Sequence, residues 1–243
     1  MIRRAPGPLP VNHLHWWRPA HAMGQTLKRT ITMADNFLEK RYAEVFGKDN
    51  RKSVKQRPSL DSLLSKNRSY RGYKKDYVVH RIQMEAIVGV NVKLASGMNA
   101  QRLRFHIVTK GPEADAVLSH IRLGAALKEL GLPFPGTEPE AFVVVCATCE
   151  ENPIIDIDLG ISLQSMSLKA VEMGLGCIIV RNYDKEDLRE ALGLPLAPVA
   201  VLAVGKPAET IELVPVGAGE NLNYYRRDGV HYVPKLRAED LII

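Results

Sequence analysis

Residues 159–180 read LGISLQSMSLKAVEMGLGCIIV and contain the pattern on which the predicted fold depends. Apolar residues lie on nearly every side of a helix that we expect to be capped by Asp156 or Asp158 and to end at Met173. A helix with two apolar faces usually has neighbours on both sides, so we place it in the core or at a subunit interface. A glycine then ends the helix, and residues 177–180 are predicted to form a short strand.

The segments around this helix carry a mixture of helical and strand patterns. Helices come first along the chain, and strands mixed with helices follow, which indicates an α+β domain and not a regular series of βαβ units. One long helix is predicted from apolar residues at spacings of three and four, namely Val79, Ile82, Ala86, Val90 and Leu94. We predict further helices at 35–46, 59–65, 114–130 and 185–192, and strands at 104–109, 142–147 and 199–204.

The composition is that of an ordinary globular protein, with 243 residues of which 46% are apolar and 25% charged. Residues 1–32 contain several prolines, no acidic residue and no apolar periodicity, so we predict a disordered tail before a single domain at 33–243. Outside the tail, 28 basic residues stand against 27 acidic ones, a balance that argues against nucleic-acid binding. No stretch approaches the ~20 apolar residues of a membrane span, so no membrane partner is expected.

The three cysteines, Cys146, Cys149 and Cys177, are too few for a disulfide framework in a chain of this length, which favours a reducing, cytoplasmic compartment. Cys146 and Cys149 form a CxxC motif. A zinc site would need a second such pair, and the acidic residues that follow the motif disfavour a reactive thiolate. We therefore interpret both cysteines as small residues at the end of a buried strand and predict no metal site.

Two basic motifs are candidates for binding an anion. Arg68-Ser69-Tyr70-Arg71 offers two guanidinium groups and a hydroxyl within four residues, a combination suited to a phosphate dianion. Lys235 and Arg237 are spaced by two on an extended segment, so they point the same way and could join that group. Taken alone, either motif is also compatible with solvated surface charge.

A polar loop, Ser96-Gly97-Met98-Asn99-Ala100-Gln101, separates the long helix from the strand at 104–109. The glycine allows close backbone approach, while the serine, asparagine and glutamine side chains offer donors and acceptors for the edge of a planar heteroaromatic ring. Taken alone, the loop is also compatible with a helix cap followed by a turn.

Taken in order, these segments resemble the nitroreductase family. Residues 67–71 are similar to its Arg-Arg-Ser-x-Arg motif, and residues 96–101 to its Ser-x-x-Asn-x-Gln loop. Residues 164–176 resemble a helix that ends in Leu-Gly-Leu-Gly, and residues 201–209 resemble a strand that ends in Gly-x-Pro-x-Glu. Pro234-Lys-Leu-Arg237 resembles the basic pair near the C-terminus of the family.

The resemblance implies a nitroreductase-like α+β fold, with a central, mainly antiparallel sheet flanked by helices, in an intertwined homodimer that binds FMN at the subunit interface. It implies an oxidoreductase in which NADH or NADPH reduces FMN, and the flavin passes hydride to a small electrophilic acceptor such as a nitroaromatic or a quinone, with ping-pong kinetics. The flavin would perform the hydride transfer, so no catalytic side chain is expected. The alternatives are enone reduction or reductive dehalogenation on the same scaffold, and an FMN-binding protein for storage or redox sensing.

Three groups of residues are expected, from the resemblance, to bind the cofactor. The phosphate clamp, in which Arg71 also approaches the pyrimidine edge of the flavin, consists of Arg68, Ser69, Arg71, Lys235 and Arg237. The loop supplied by the partner chain consists of Ala95, Ser96, Gly97, Asn99 and Gln101. The segment beside the flavin N5 and O4 consists of Val180, Arg181 and Asn182.

Overall fold

The structure, a computed structural model, describes residues 58–124 and 127–243. Its helices are α1 (Leu60–Lys66), α2 (Arg81–Val88), α3 (Pro112–His120), α4 (Pro153–Glu172) and α5 (Lys185–Ala191). Its strands are β1 (Leu103–Val108), β2 (Ala141–Ala147), β3 (Gly176–Val180), β4 (Pro198–Gly205), β5 (Thr210–Val216), β6 (Tyr225–Arg227) and β7 (Val230–Leu236). The tail predicted at 1–32 and the helix predicted at 35–46 lie outside the described residues.

A four-stranded sheet in the order β1-β2-β4-β3 forms the centre, and each neighbouring pair in it is antiparallel. The inner strands β2 and β4 are buried along their whole length, which explains why their sequences are uninterrupted apolar runs. Val143 and Val145 face a layer formed by α2 and α4, whereas Phe142 and Val144 face α3 and α5. The predicted α+β fold, a mainly antiparallel sheet flanked by helices, is thereby confirmed.

The helix α4 has the two apolar faces that the sequence predicts. One face packs on the sheet through Ile155, Leu159, Leu163, Met166 and Ala170. The other face presents Ile154, Ile157 and Ile161 to solvent, and Ile157 is 63% exposed. Among the described helices, none is long and apolar enough to cross a membrane.

The predicted cap of α4 at Asp156 or Asp158 is wrong, because the helix begins earlier. The side chain of Asn152 caps it by accepting hydrogen bonds from the backbone N–H groups of Ile154 and Ile155, at 3.1 and 3.2 Å. Pro153 follows at the first helical position, where its missing N–H has no cost. Asp158 therefore lies inside the helix, where its buried carboxylate is available to another segment.

Two other predicted helices differ from the structure in extent. The helix predicted at 114–130 ends at His120, because Ile121 is extended and pairs with Tyr183, and Gly124 has a φ of +72°. The helix predicted through Leu94 ends at Val88 and continues as a 3-10 segment, Gly89–Lys93. Its buried face also differs, since Met84 and Ile87 contact the core while Ile82 and Ala86 are exposed.

A second, three-stranded sheet has the order β5-β7-β6, with β5 parallel and β6 antiparallel to β7. The sequence analysis does not predict β5 or β6. The connection between β6 and β7 is the two-residue turn Asp228-Gly229, whose φ angles are 51° and 77°. Asp-Gly is favoured in such hairpins because both positions require a positive φ. This turn sets the register between β6 and β7.

The segment 69–73 crosses the ends of β3 and β4 and packs on two glycines. Its Tyr73 is only 2% exposed, and its hydroxyl donates a hydrogen bond to the backbone oxygen of Tyr70 at 2.9 Å. A Cβ atom at Gly205 would lie 2.5 Å from the Tyr73 ring, and one at Gly176 would lie 2.3 Å from the Tyr70 ring. Both glycines are therefore needed to hold this segment against the sheet.

We expect Gly205→Ala to lower the free energy of unfolding by about 1–3 kcal/mol, the usual cost of overpacking a core. The reason is that the ring of Tyr73 is buried and cannot move away from the added methyl group. The matched control is Gly89→Ala, because Gly89 has a helical φ of −59° and no atom lies within 4 Å of the position that its new methyl group would take. Urea denaturation of both variants measures the difference, and equal stability of the two would contradict this account of Gly205.

Candidate functional site

A cavity of about 360 Å³ opens between the end of α1, the segment that follows it, and β7. The residues that line it are Leu64, Asn67, Arg68, Ser69, Arg71, Gln164, Ile211, Tyr224, His231, Val233 and Lys235. The structure thus brings together four of the residues predicted to bind phosphate, namely Arg68, Ser69, Arg71 and Lys235. None of the described residues that line this cavity is acidic.

Local sequence explains why one wall of the cavity takes its form. Ser59 caps α1 by accepting a hydrogen bond from the backbone N–H of Ser62 at 3.2 Å, and the helix ends at Lys66. The chain then becomes extended, and Ser69 pairs in parallel with Cys177 of β3. Because the end of the helix lies close to the sheet, both arginines of the motif line the same cavity.

The opposite wall is the face of β7 that carries His231, Val233 and Lys235. These residues are spaced by two, so in a strand they share one face. Ile211 of the parallel neighbour β5 pairs with His231 and extends this wall. The alternation of side chains along β7 therefore places the basic residue Lys235 on the wall of the cavity that Arg68 and Arg71 also line.

Arg71 is the most enclosed arginine of the site, with 9% of its surface exposed. Its Nη1 donates to the backbone oxygen of Ser69 at 2.9 Å and lies 3.4 Å from Nε2 of His231. The guanidinium carbon lies 4.9 Å from the centroid of the Tyr224 ring, within the range of a cation–π contact. Three different segments thus hold one guanidinium group.

Glu209 joins the arginine motif to the second sheet. Its Oε1 accepts hydrogen bonds from the backbone N–H groups of Arg71 and Gly72, the latter at 3.2 Å. Its Oε2 pairs with the guanidinium group of Arg226, and both side chains are mostly buried. Because the carboxylate is occupied in this way, it does not neutralise the cavity.

Several donors at the cavity have no partner. The Nε atoms of Arg68 and Arg71 and the Nδ1 atom of His231 are buried without a hydrogen-bond partner among the described residues. Burial lowers the pKa of Arg68, while the nearby Tyr70 raises it. The described residues that line the cavity include three cationic side chains and no acidic one, so the cavity is chemically suited to an anionic group.

The remaining predicted site residues lie elsewhere in the chain. Arg237 lies outside the cavity wall, with its guanidinium group 3.9 Å from the carboxylate of Glu220. Arg181 forms ion pairs with Glu151 at 2.6 Å and with Asp156 at 3.3 Å. Its neighbour Val180 is buried. The backbone oxygen of its other neighbour, Asn182, accepts a hydrogen bond from the backbone N–H of Arg122.

The predicted partner loop borders a second cavity of about 260 Å³, which Ala95, Ser96 and Gln101 line together with Asp158. The backbone N–H of Gly97 donates to the Asp158 carboxylate at 2.8 Å. The side chain of Asn99 accepts a hydrogen bond from that of Gln101 at 3.2 Å. Within one chain, this loop is not among the residues that line the first cavity.

Of the two cysteines of the CxxC motif, Cys146 lies in the buried strand β2, whereas Cys149 follows the strand and is partly exposed. Cys146 is buried, and burial raises the pKa of its thiol to about 11, so the thiol form dominates near neutral pH. Cys149 lies 3.6 Å from the guanidinium group of Arg102. In the part of the chain that the structure describes, no cluster of side chains is suited to hold a metal ion.

Three residues that contact Arg71 are absent from the sequence prediction of the site: Glu209, Tyr224 and His231. Glu209 lies in a segment that resembles the family, but nothing local indicates that it binds the backbone of residue 71. The Asp228-Gly229 turn is the signal that could have marked the start of a strand at Val230, and in that strand the spacing of His231 and Lys235 puts both on one face.

The family model for the nitroreductase family matches residues 64–206, more than half of the chain. The chain belongs to the nitroreductase family. The match begins within α1 and ends after β4, so it includes the arginine motif, the polar loop and the whole central sheet. No curated protein sequence matches this chain at a significant level.

Solved structures share the fold at low sequence identity. A nitroreductase family protein from Clostridium novyi NT is 20% identical, with coverage of 62% of this chain and 86% of that one and a TM-score of 0.52. An FMN-dependent nitroreductase from Clostridium difficile R20291 is 22% identical, covers 62% and 88%, and has a TM-score of 0.51. A variant of an FMN- and NADPH-dependent nitroreductase from Sphigopyxis sp. strain HMH is 19% identical, covers 62% and 89%, and has a TM-score of 0.50.

We expect Glu209→Gln to lower the free energy of unfolding by about 3–5 kcal/mol, because it leaves the mostly buried Arg226 without its counter-charge. Glu212→Gln, on the exposed face of the neighbouring strand, is the matched control and should change stability by no more than about 0.5 kcal/mol. Thermal and urea unfolding measure both variants. Equal stability of the two variants would show that Glu209 does not hold the site together.

Proposed function

We propose that this chain is an FMN-dependent reductase of the nitroreductase type, which acts in the cytoplasm as a homodimer with NADH or NADPH as reductant. The observation that carries the proposal is the cavity lined by Arg68, Ser69, Arg71 and Lys235 without an acidic residue. Two of the structural neighbours carry names that state FMN dependence, and one of these names also states NADPH dependence. Those names support the same cofactors here.

The chain's own residues fit the phosphate end of FMN. Arg68 and Lys235 supply positive charge from opposite walls, and Ser69 supplies a hydroxyl between them. Arginine suits a phosphate because its planar group presents several donors at once. The chain has no GxGxxG turn of the kind that binds a pyrophosphate, which favours FMN over a dinucleotide flavin.

Arg71 would serve the flavin in a different way from Arg68. It is buried and already held by three neighbours, so its charge is fixed in place before a ligand arrives. A fixed positive charge beside the pyrimidine edge would stabilise negative charge on the reduced ring. When bound, FMN would accept hydride from NADH or NADPH and pass it to a small electrophilic acceptor, such as a nitroaromatic or a quinone, in a ping-pong cycle.

The homodimer is proposed from the exposed apolar face of α4. Ile154, Ile157 and Ile161 form a stripe on that face, and the highly exposed Val92 and Met98 belong to segments that contact the same helix. A stripe of this kind is unusual on a monomer and marks a protein contact surface. The polar loop at Ser96–Gln101 is next to this stripe, since Gly97 lies against Ile154, so a dimer formed on the stripe would place the loop at the interface. We propose that the loop there completes the first cavity of the partner chain.

We expect the residues of the phosphate clamp to contribute to FMN affinity. Arg68→Ala, Arg71→Ala and Lys235→Ala are each expected to weaken FMN binding by about 1.5–3 kcal/mol, the size of a hydrogen bond to a charged group. We expect a smaller loss for Arg237→Ala, because Arg237 lies outside the cavity wall. Arg227→Ala, which removes an exposed arginine of β6, is the matched control. Binding is measured by quenching of flavin fluorescence on the full-length chain.

Turnover separates an enzyme from a storage or sensing protein. Anaerobic oxidation of NADH or NADPH, with bleaching of the bound flavin and recolouring by a nitroaromatic or a quinone, is the expected result for a reductase. A protein that binds FMN but leaves both nucleotides unoxidised would be a binding protein, and one that takes up no FMN would end the proposal.

Shared sites should give complementation between two damaged chains. One chain carries Arg68→Ala with Arg71→Ala, and the other carries Ser96→Asp with Asn99→Asp, which places negative charge on the loop. Asp is chosen at position 99 because the backbone φ there is 53°, which Asp tolerates. Substitution of Gly97 is avoided, since a Cβ there would lie 2.4 Å from Ile154.

Each damaged homodimer should bind FMN poorly at both sites. A heterodimer purified with two different tags should have one intact site, because both lesions fall in the other site. We expect about one FMN per heterodimer and roughly half of the wild-type turnover by this symmetry argument. Heterodimers without recovery would show that the loop and the clamp of different chains do not share a site.

A further inference from the structure

The guanidinium group of Arg71 is held without any ion pair to a described carboxylate. The three groups that hold it, here called the Arg71 seat, are the backbone oxygen of Ser69, Nε2 of His231 and the ring of Tyr224. The nearest carboxylate, Glu209, accepts from the backbone N–H of Arg71 and pairs with Arg226 instead. The orientation of the arginine side chain therefore depends on neutral acceptors.

The chemistry of the seat fixes the state of His231. Arginine has only donors, so a hydrogen bond between Arg71 and Nε2 of His231, which lies 3.4 Å from Nη1, requires that nitrogen to be the acceptor. The proton of a neutral His231 then lies on Nδ1, which is buried without a partner among the described residues. A doubly protonated ring would have no acceptor and would place a second positive charge against Arg71.

The charges around His231 favour the neutral ring. Burial lowers the pKa of His231, the positive charges of Arg71 and Arg226 lower it further, and the opposing contribution of Glu209 is smaller. Further positive charge near His231 comes from Lys235, on the same strand face, and from Arg68, which lines the same cavity. At neutral pH the ring is therefore uncharged and able to accept the hydrogen bond.

We infer that neutral His231 is a positioning residue for FMN binding, which acts by holding Arg71 in its seat on the cavity wall. The inference rests on the proposed function, since it assumes that FMN is the anion that enters the cavity. His231 is 1% exposed and its ring stands 5.1 Å from that of Tyr224, so the strand β7 holds it firmly. The wall that carries Lys235 thus also fixes the arginine of the opposite wall.

The test removes one property of His231 at a time: the nitrogen that accepts the hydrogen bond, or the aromatic ring. His231→Phe keeps a ring against Tyr224 but removes the acceptor, whereas His231→Gln keeps an acceptor near the Nε2 position but removes the ring. We expect the Phe variant to raise the dissociation constant for FMN about tenfold, and the Gln variant to stay close to the wild type. A role in packing alone predicts the opposite order.

Unfolding is measured for every variant, because His231→Phe removes the unpartnered Nδ1 but also takes an acceptor away from the buried Arg71. FMN affinities are compared at a temperature at which each variant is fully folded. Tyr232→Phe is the matched control, because Tyr232 is the next residue of β7 and lies outside the cavity wall. The FMN affinity of this control should equal that of the wild type.

The pH profile gives a second and independent measurement. Because the pKa of His231 is lowered, the ring becomes half protonated only at a pH below 6.5, the ordinary pKa of histidine. Protonation removes the acceptor and repels Arg71, so the wild type should lose FMN affinity relative to His231→Gln in this range. The phosphate of FMN also titrates, near pH 6, but it does so equally for both proteins and cancels in their ratio.

The outcomes separate this inference from the proposed function. If Arg68→Ala and Arg71→Ala weaken FMN binding but His231→Phe does not, FMN binds in the cavity and the positioning role is wrong. The role is also wrong if the Gln variant binds more weakly than the Phe variant, or if the wild type gains affinity over the Gln variant at low pH. Failure of every protein to bind FMN would overturn the proposed function itself.

Discussion

The carboxylate of Glu209 is bonded at once to the backbone of the arginine motif and to Arg226 of β6, and the candidate site depends on this one mostly buried group. It joins the segment after α1, which lies on the central sheet, to the second sheet, which carries Lys235. Loss of either set of partners would leave a buried carboxylate with unsatisfied charge, which is costly. Each segment therefore favours the position of the other. The cavity between the two walls is a consequence of this connection.

The cavity is unusual in how its positive charge is balanced. Several exposed basic side chains in the described part of the chain are paired with acidic neighbours, as Arg181 is with Glu151 and Asp156. At the cavity, the arginines are held by backbone oxygens, a histidine nitrogen and an aromatic ring, and the only nearby carboxylate among the described residues is directed elsewhere. The site therefore keeps its charge for a ligand, which is the property that a phosphate-binding cofactor requires.

Small residues determine how closely the arginine motif approaches the sheet. Gly176 and Gly205 leave space for the rings of Tyr70 and Tyr73, and any side chain at either position would push the segment away. The second glycine of the Gly-Leu-Gly signature after α4, Gly176, is thus explained by packing in this chain. The same helix has a different role on its outer face, where an apolar stripe remains exposed.

The sequence by itself determined the α+β class from local patterns of polarity and spacing, and the antiparallel central sheet through its resemblance to a family. It also predicted Arg68, Ser69, Arg71 and Lys235 as clamp residues, and these four line one cavity. It placed the cap of α4 too late and extended α3 past His120, since apolar spacing continues where a turn and a pairing with Tyr183 end the helix. Only the tertiary structure decided that Glu209, Tyr224 and His231 belong to the site. They come from segments between 138 and 160 residues away from Arg71, and contacts over such separations are set by strand register and burial, which no local pattern records.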